Sequence, residues 1–153
     1  MSLIKPPNCR SMCIDDLPAV LAIEEEYNPS PWKKQHFETS LSRHLCWVLE
    51  EKHFILGYAI LSVFQTEGEI LNIAIHPQYR RQGLGEFLLT RVLKEAKQKA
   101  VQTLFLEVRK SNLAAQTLYH KMGFHQVGVR AAYYPSGLGR REDGFIFARE
   151  DLR

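Results

Sequence analysis

Between Leu71 and Ala100 the chain reads LNIAIHPQYRRQGLGEFLLTRVLKEAKQKA, and the rest of the chain is organised around this stretch. Ile70 to Ile75 is a short apolar run of the kind that forms a buried strand. His76-Pro77 ends it, because Pro donates no backbone hydrogen bond and restrains the residue before it. Arg80-Arg81-Gln82-Gly83-Leu84-Gly85 follows and leads into a helix. Leu84, Phe87, Leu88, Val92, Ala96 and Ala100 recur three or four residues apart, while Lys94, Lys97, Gln98 and Lys99 fill the other face. Strand, basic glycine loop and helix make the local architecture of an anion site. Glycines let backbone N–H groups turn inward, and the helix N-terminus adds its partial positive charge.

Two common anion loops fail on residues. A P-loop needs Gly-Lys-Ser/Thr after its glycines, whereas Gly85 is followed by Glu86-Phe87. A dinucleotide fingerprint needs a third small residue three positions after Gly85, where this chain has Leu88. Arg80-x-x-Gly83-x-Gly85 is left as the motif to explain.

Outward from this stretch, the N-terminal side reads as a strand over Asn8 to Ile14 and a helix starting at Asp15-Asp16 with Leu17, Val20, Leu21 and Ile23 as its apolar stripe. Glu24-Glu25-Glu26 is expected at the exposed end of that helix. Asn28-Pro29-Ser30-Pro31 breaks it, and Ser30 is expected to cap a second helix with Pro31 in its first turn and Trp32, Phe37 and Leu41 packed inward. Strands follow over Leu45 to Leu49 and Phe54 to Phe64, with polar turns at Glu50 to Lys52 and Gln65 to Gly68. On the C-terminal side Thr103 to Arg109 alternates, with Leu104, Leu106 and Val108 on one face and Phe105, Glu107 and Arg109 on the other. Ser111-Asn112 caps another helix that stops at Gly123. Phe124 to Arg130 and Gly144 to Arg149 close the chain as strands, joined by a loop over Ala131 to Asp143. The order β-α-α-β-β-β-α-β-α-β-β fits an α/β mixed sheet with helices on its faces.

The length of 153 residues suits one domain, and 45% hydrophobic with 24% charged residues is the composition of a globular protein. The start, Met1 to Asn8, shows no signal-peptide pattern, and the longest mostly apolar run, Phe54 to Phe64, is well short of the roughly 20 residues that span a bilayer. A cytoplasmic, monomeric protein without membrane contact is expected. Cys9, Cys13 and Cys46 are an odd number. Cys9 and Cys13 on one strand would lie about 13 Å apart, too far for a disulfide. Reduced, partly buried thiols are expected, and no Cys/His spacing suggests a metal. Residues 1–76 hold 6 Lys+Arg and 10 Asp+Glu, residues 77–153 hold 14 and 7, so a net of −4 faces one of +7. The basic half suits a polyanionic cofactor; no nucleic-acid motif is present, and none is expected as partner.

With strand before and amphipathic helix after, Arg80-x-x-Gly83-x-Gly85 resembles the pyrophosphate loop of the GCN5-related N-acetyltransferases, the GNAT family. In that family the loop holds the pyrophosphate of acetyl-coenzyme A (acetyl-CoA). Two further motifs follow in order: Leu106-Glu107-Val108-Arg109 with Ser111-Asn112, Leu118-Tyr119 and Gly123-Phe124, then Tyr133-Tyr134-Pro135 with Arg141-Glu142-Asp143. Together they resemble the family's RimI-type branch, whose members acetylate the N-terminal alanine of a small-subunit ribosomal protein. The resemblance covers nearly the whole chain. It implies a GNAT-type mixed, mostly antiparallel sheet with helices on both faces, one domain over residues 1–153, and a ribosomal-protein N-terminus as partner.

By that resemblance Ile73, Ala74 and Ile75 hold the pantetheine arm through backbone groups, in a strand that splays from its neighbour. Arg81, Gln82, Gly83, Leu84, Gly85 and Glu86 form the pyrophosphate cradle, and Asn112 adds a cofactor contact. Glu107 falls on the family's general base. The chemistry asks for one, because an α-amine with a pKa of about 7.7–8.0 is mostly ammonium at pH 7 and cannot attack a thioester. Residues alone also allow Glu107 a structural pairing with Arg109 or Arg130. Tyr119 falls on the tyrosine that donates to the departing sulfur, and its helical spacing equally allows a core position. Tyr133 and Tyr134 match a loop over the acceptor site, and Trp32 lies at the position of the other acceptor-side loop, although packing would explain it as well. The loop departs from the branch's Gly-Arg-Glu-Asp-Ala: this chain reads Gly139-Arg140-Arg141-Glu142-Asp143-Gly144. An acetyltransferase working on a small amine or a lysine, and a non-catalytic acyl-CoA binder, are the alternatives. The Glu107/Tyr119 pair speaks against the binder, which needs only the loop. None of the cysteines falls in a motif, so nothing supports a covalent acyl-cysteine route.

Overall fold

The computed structural model describes residues 6–137 and 139–152. In chain order it has β1 (Asn8–Ser11), α1 (Leu17–Tyr27), α2 (Lys34–Arg43), β2 (Leu45–Glu51), β3 (Phe54–Phe64), β4 (Glu67–Ile75), α3 (Leu84–Gln98), β5 (Thr103–Arg109), α4 (Leu113–Lys121), β6 (His125–Gly137) and β7 (Arg140–Arg149). This is the expected order, with short 3-10 turns at Ile14–Asp16 and Pro77–Tyr79. The strands form one sheet in the order β1-β2-β3-β4-β5-β7-β6. Every join is antiparallel except β4 to β5, which is parallel and therefore needs a crossover; α3 supplies it.

Strand alternation sorts the core onto two faces. Cys46, Val48, Tyr58 and Ile60 point to one face and meet Leu17, Val20 and Ile23 of α1 and Phe37 of α2. Trp47, Ala59, Leu61, Leu104 and Leu106 point to the other and meet Leu88, Leu89, Val92 and Ala96 of α3 and Tyr119 of α4. Helices thus cover both faces, as the resemblance implied. Full burial of a leucine such as Leu88 or Leu89 contributes about 1.5–3 kcal/mol, so α3 is held mainly by this stripe.

Several boundaries differ from expectation for local reasons. The first strand stops at Ser11, and Ile14 is exposed. Cys13 therefore lies outside β1 and is exposed, while Cys9 is half-buried and Cys46 buried; all three are free thiols. The second helix starts at Lys34, not at Pro31. The Lys33 N–H donates to His36 Nδ1 at 2.8 Å, while Ser30 N–H turns back to Asn28 Oδ1 at 3.1 Å and caps nothing. The fourth strand begins at Glu67, inside the expected turn, which narrows to Gln65-Thr66. Helix α3 ends at Gln98, so Ala100, with φ 63°, is not part of its stripe, and Phe87 is partly exposed rather than core. Most of the expected loop over 131–143 is strand: β6 and β7 continue to pair up to Gly137 and Arg140. Residues 1–5, on which the absence of a signal peptide was read, lie outside the described residues. No helix among the described residues is long and apolar enough to cross a membrane.

Candidate active site

β4 and β5 run together only briefly, Glu67 to Ile70 against Thr103 to Leu106. Just beyond, β4 is bulged: Ile70 faces Leu61 and Asn72 faces Ile60, which leaves Leu71 as the extra residue. β4 then stays with β3 as far as Ile75, and β5 stays with β7 as far as Arg109. Each strand keeps its outer neighbour, and the two part. A cleft of about 550 Å³ opens between them, and Trp32, Ile73, Glu107, Asn112, Tyr119 and Tyr134 are among its walls.

Downstream of the splayed strand lies the glycine loop. Arg81 and Gly83 both have left-handed backbones, φ 63° and 77°, which turn the chain sharply into α3. The first bond of α3 runs from Phe87 N–H to Gly83 C=O at 3.0 Å, so the N–H groups of Leu84, Gly85 and Glu86 precede the helical ladder. A Cβ at Gly83 would meet nothing within 4 Å, so the loop leaves room for a ligand against its backbone. Gln82 Oε1 is enclosed without a hydrogen-bond partner among the described residues, and the Glu86 side chain is tied to Lys121 at 2.9 Å. Arg80 reaches back, with Nε donating to Ile75 C=O at 3.3 Å and its guanidinium over the Tyr27 ring at 5.1 Å. The donor set of backbone N–H groups, helix terminus and arginines fits a diphosphate. These loop residues do not line the cleft itself; they follow from the end of its β4 wall. Of the three β4 residues expected beside the pantetheine arm, Ile73 lines the cleft, whereas Ala74 and Ile75 do not, the Ala74 methyl being part of the α1/α2 core.

Inside the cleft, Glu107 projects from β5. Its Oε2 lies 3.4 Å from Arg130 Nε, and its Oε1 is enclosed without a hydrogen-bond partner among the described residues. Arg109, two residues on, points to the same face but serves β6: Nη1 donates to Pro135 C=O at 2.8 Å, and the guanidinium stacks on Tyr134 at 4.4 Å. Of the two candidate partners for Glu107, Arg130 is therefore the one in contact. Tyr119 is buried at the α4 wall, and burial, with Tyr27 nearby, pushes its phenol well above the usual tyrosine range. Asn112 caps α4 by accepting from Ala115 N–H at 3.2 Å, and its Nδ2 donates to Tyr27 Oη at 2.9 Å.

The far end of the cleft is walled by Trp32 and by Tyr133 and Tyr134, whose rings meet edge to face at 5.0 Å. Trp32 also packs on Phe37 at 5.1 Å, so it is a packing residue as well as part of the cleft wall. Burial, then the charge of Glu107, pushes the Tyr134 phenol up.

Glu24 corrects the sequence reading most sharply. Expected at an exposed helix end, it is fully buried and accepts four hydrogen bonds: from Tyr58 Oη at 2.6 Å, Trp32 N–H at 2.8 Å, Asn72 Nδ2 at 3.1 Å and Asn28 Nδ2 at 3.2 Å. It thereby ties the Trp32 loop to the bulge of β4. Leu17, Val20, Glu24 and Tyr27 fall three or four residues apart, so the helical period already placed Glu24 and Tyr27 on the buried face. The run of three glutamates hid that signal.

A splayed parallel strand pair, a glycine-started helix at its end and a carboxylate with a tyrosine in the gap define an acyl-CoA-dependent N-acetyltransferase. The chain belongs to the acetyltransferase (GNAT) family, whose model matches residues 16–124. It is 40% identical over 134 residues to the ribosomal protein bS18 alanine N-acetyltransferase of Escherichia coli, covering 87% of this chain and 90% of that one. The crystal structure of the ribosomal-protein-S18-alanine N-acetyltransferase from Escherichia coli matches with a TM-score of 0.87 at 37% identity, over 94% of this chain and 93% of that one. A GNAT family acetyltransferase from Elizabethkingia anophelis, solved with acetyl-CoA bound, shares the fold with a TM-score of 0.79 at 22% identity, over 95% of this chain and 99% of that one.

Proposed function

We propose that this acetyltransferase moves acetyl from acetyl-CoA to the α-amine of a protein N-terminus, alanine of a small-subunit ribosomal protein, by direct attack. The observation that carries the reading is the splay, which opens one cleft lined by Glu107, Tyr119 and the aromatic rings of Trp32, Tyr133 and Tyr134. The 40% identity to the bS18 alanine enzyme supports the acceptor.

Acetyl-CoA lies with its pyrophosphate on the N–H groups of Leu84, Gly85 and Glu86 and the loop of Arg81, Gln82 and Gly83. Its pantetheine arm runs along the freed edge of Ile73, Ala74 and Ile75, with Asn112 across from it. The acceptor enters between Trp32 and Tyr133/Tyr134. Glu107 takes a proton from the ammonium, directly or through a water. The amine nitrogen then attacks the thioester carbon and the C–N bond forms; as the C–S bond breaks, the nitrogen gives up its remaining excess proton to water, leaving the neutral amide. The electron pair leaves on sulfur, where the Tyr119 O–H meets it. A phenol raised above the usual range by burial is a poor proton donor to a thiolate of pKa about 8.5, so Tyr119 stabilises the sulfur by a hydrogen bond that strengthens as charge builds.

Three peptides of otherwise equal sequence test the reading in steady state: Ala-first, Leu-first, and N-blocked with a free internal lysine. At pH 7 roughly one α-amine in ten is neutral, against roughly one lysine in two thousand, so the same base does far more for the α-amine. Ala-first is expected to be the best substrate. Equal rates for Ala-first and Leu-first would remove the alanine assignment, and faster lysine acetylation would overturn the α-amine reading too.

A further inference from the structure

We propose that Gly144 sets the width of the acceptor end of the cleft, and with it the discrimination between small and large first residues; this rests on the function proposed above. Gly144 lies in β7, level with Arg109 of β5 on one side and Arg130 of β6 on the other. A Cβ built there would stand 2.6 Å from Glu107 Oε1 and 2.7 Å from Tyr134 Cε2. Both distances are far inside the roughly 3.5–4.0 Å of ordinary contact. The space that a side chain would take is filled by a carboxylate and a ring that both line the cleft.

Neither group has an easy way aside. Glu107 is drawn by Arg130 through its other oxygen at 3.4 Å. The Tyr134 ring carries the Arg109 guanidinium on its face at 4.4 Å and the Tyr133 ring at 5.0 Å. Arg109 is itself anchored by Pro135 C=O at 2.8 Å and Glu142 at 3.7 Å. A methyl group on residue 144 therefore pushes ring, carboxylate or both toward the side that is open, which is the cleft.

The test compares Gly144→Ala with the unmodified protein on peptides that differ only in starting with Gly, Ala, Val or Leu. Acetyl-CoA affinity is measured calorimetrically alongside. The expected result is a loss in kcat/KM that grows with the first side chain, the Leu-first to Gly-first ratio falling by roughly 10-fold or more at unchanged acetyl-CoA affinity. An equal loss on all four peptides overturns the proposal, because a displaced base or a general disturbance is blind to the first side chain; an unchanged series overturns it as well. Tyr134→Leu widens the same place from the other side and is expected to flatten the series in a background that keeps Gly144. A steep series in Tyr134→Leu equal to that of the unmodified protein also counts against it. If the unmodified protein acetylates none of the four, the α-amine reading fails instead, and the two failures are thus told apart.

Discussion

Glu107 holds one oxygen against β7 and the other beside Arg130, an arrangement that keeps a carboxylate in place without filling all its acceptor sites. Replacing it with glutamine keeps shape and removes basicity. Glu107→Gln is expected to lower turnover by roughly 10²–10⁴-fold with acetyl-CoA affinity little changed. The defect should shrink as pH rises through about 8 and above, where the α-amine loses its proton unaided. A rate–pH profile showing the same fold-loss at every pH would assign Glu107 to positioning rather than proton transfer. The identity of this residue was legible in Leu106-Glu107-Val108-Arg109, but its choice of Arg130 over Arg109 was not. That choice depends on Tyr134 and Pro135 taking Arg109 away, which only strand register decides.

Among the elements, α3 carries the clearest test, because its start serves the fold and is the proposed cradle. Gly83 is left-handed at φ 77° with open space around it, while a Cβ at Gly85 would come within 3.3 Å of Leu118 Cδ2. Gly83→Val therefore brings backbone strain and a bulky group at the ligand face, and Gly85→Val brings crowding against α4. Both are expected to abolish acetyl-CoA binding in a protein that circular dichroism shows as folded. Near-native affinity in a folded Gly83→Val protein would contradict the cradle. The strands Phe54–Phe64 and Thr103–Arg109 are legible in the sequence to the residue, the first as an apolar run between polar turns and the second by its alternation. The outer part of the β6–β7 hairpin, over 131–143, reads as loop in the sequence, where Pro135 and Gly137 are poor strand residues. β6 is the sheet edge, where a proline has a free side to face, and register shifts after Arg130 and Pro135 absorb the misfit. The start of α2 escaped for a similar reason: His36, not Ser30, supplies the capping atom.

At the scale of the molecule, the sheet is two halves joined by four residue pairs and the α3 crossover. Element order was visible in the sequence, but a splay is a statement about where pairing stops, and no residue pattern announces that. Beside the opening, on its β4 side, sits Glu24, a carboxylate out of water and held by four uncharged donors from the Trp32 loop, β3, β4 and Asn28 just past the end of α1. Losing part of that shell leaves an under-solvated charge, so its members are released together. The consequence is visible in amide hydrogen exchange. Trp32 sits in a connecting segment, where N–H groups ordinarily exchange by local fraying. Its amide is instead expected to exchange as slowly as those of β3 around Tyr58, and in Glu24→Gln to speed up while the amides of β5 do not. Fast exchange at Trp32 beside a protected β3 would show that the segment opens alone. Shared protection would mean that the Trp32 segment does not flap over the cleft as a separate lid, so that the peptide entry proposed above would need side-chain movement of Trp32 on a backbone held to β3 and β4.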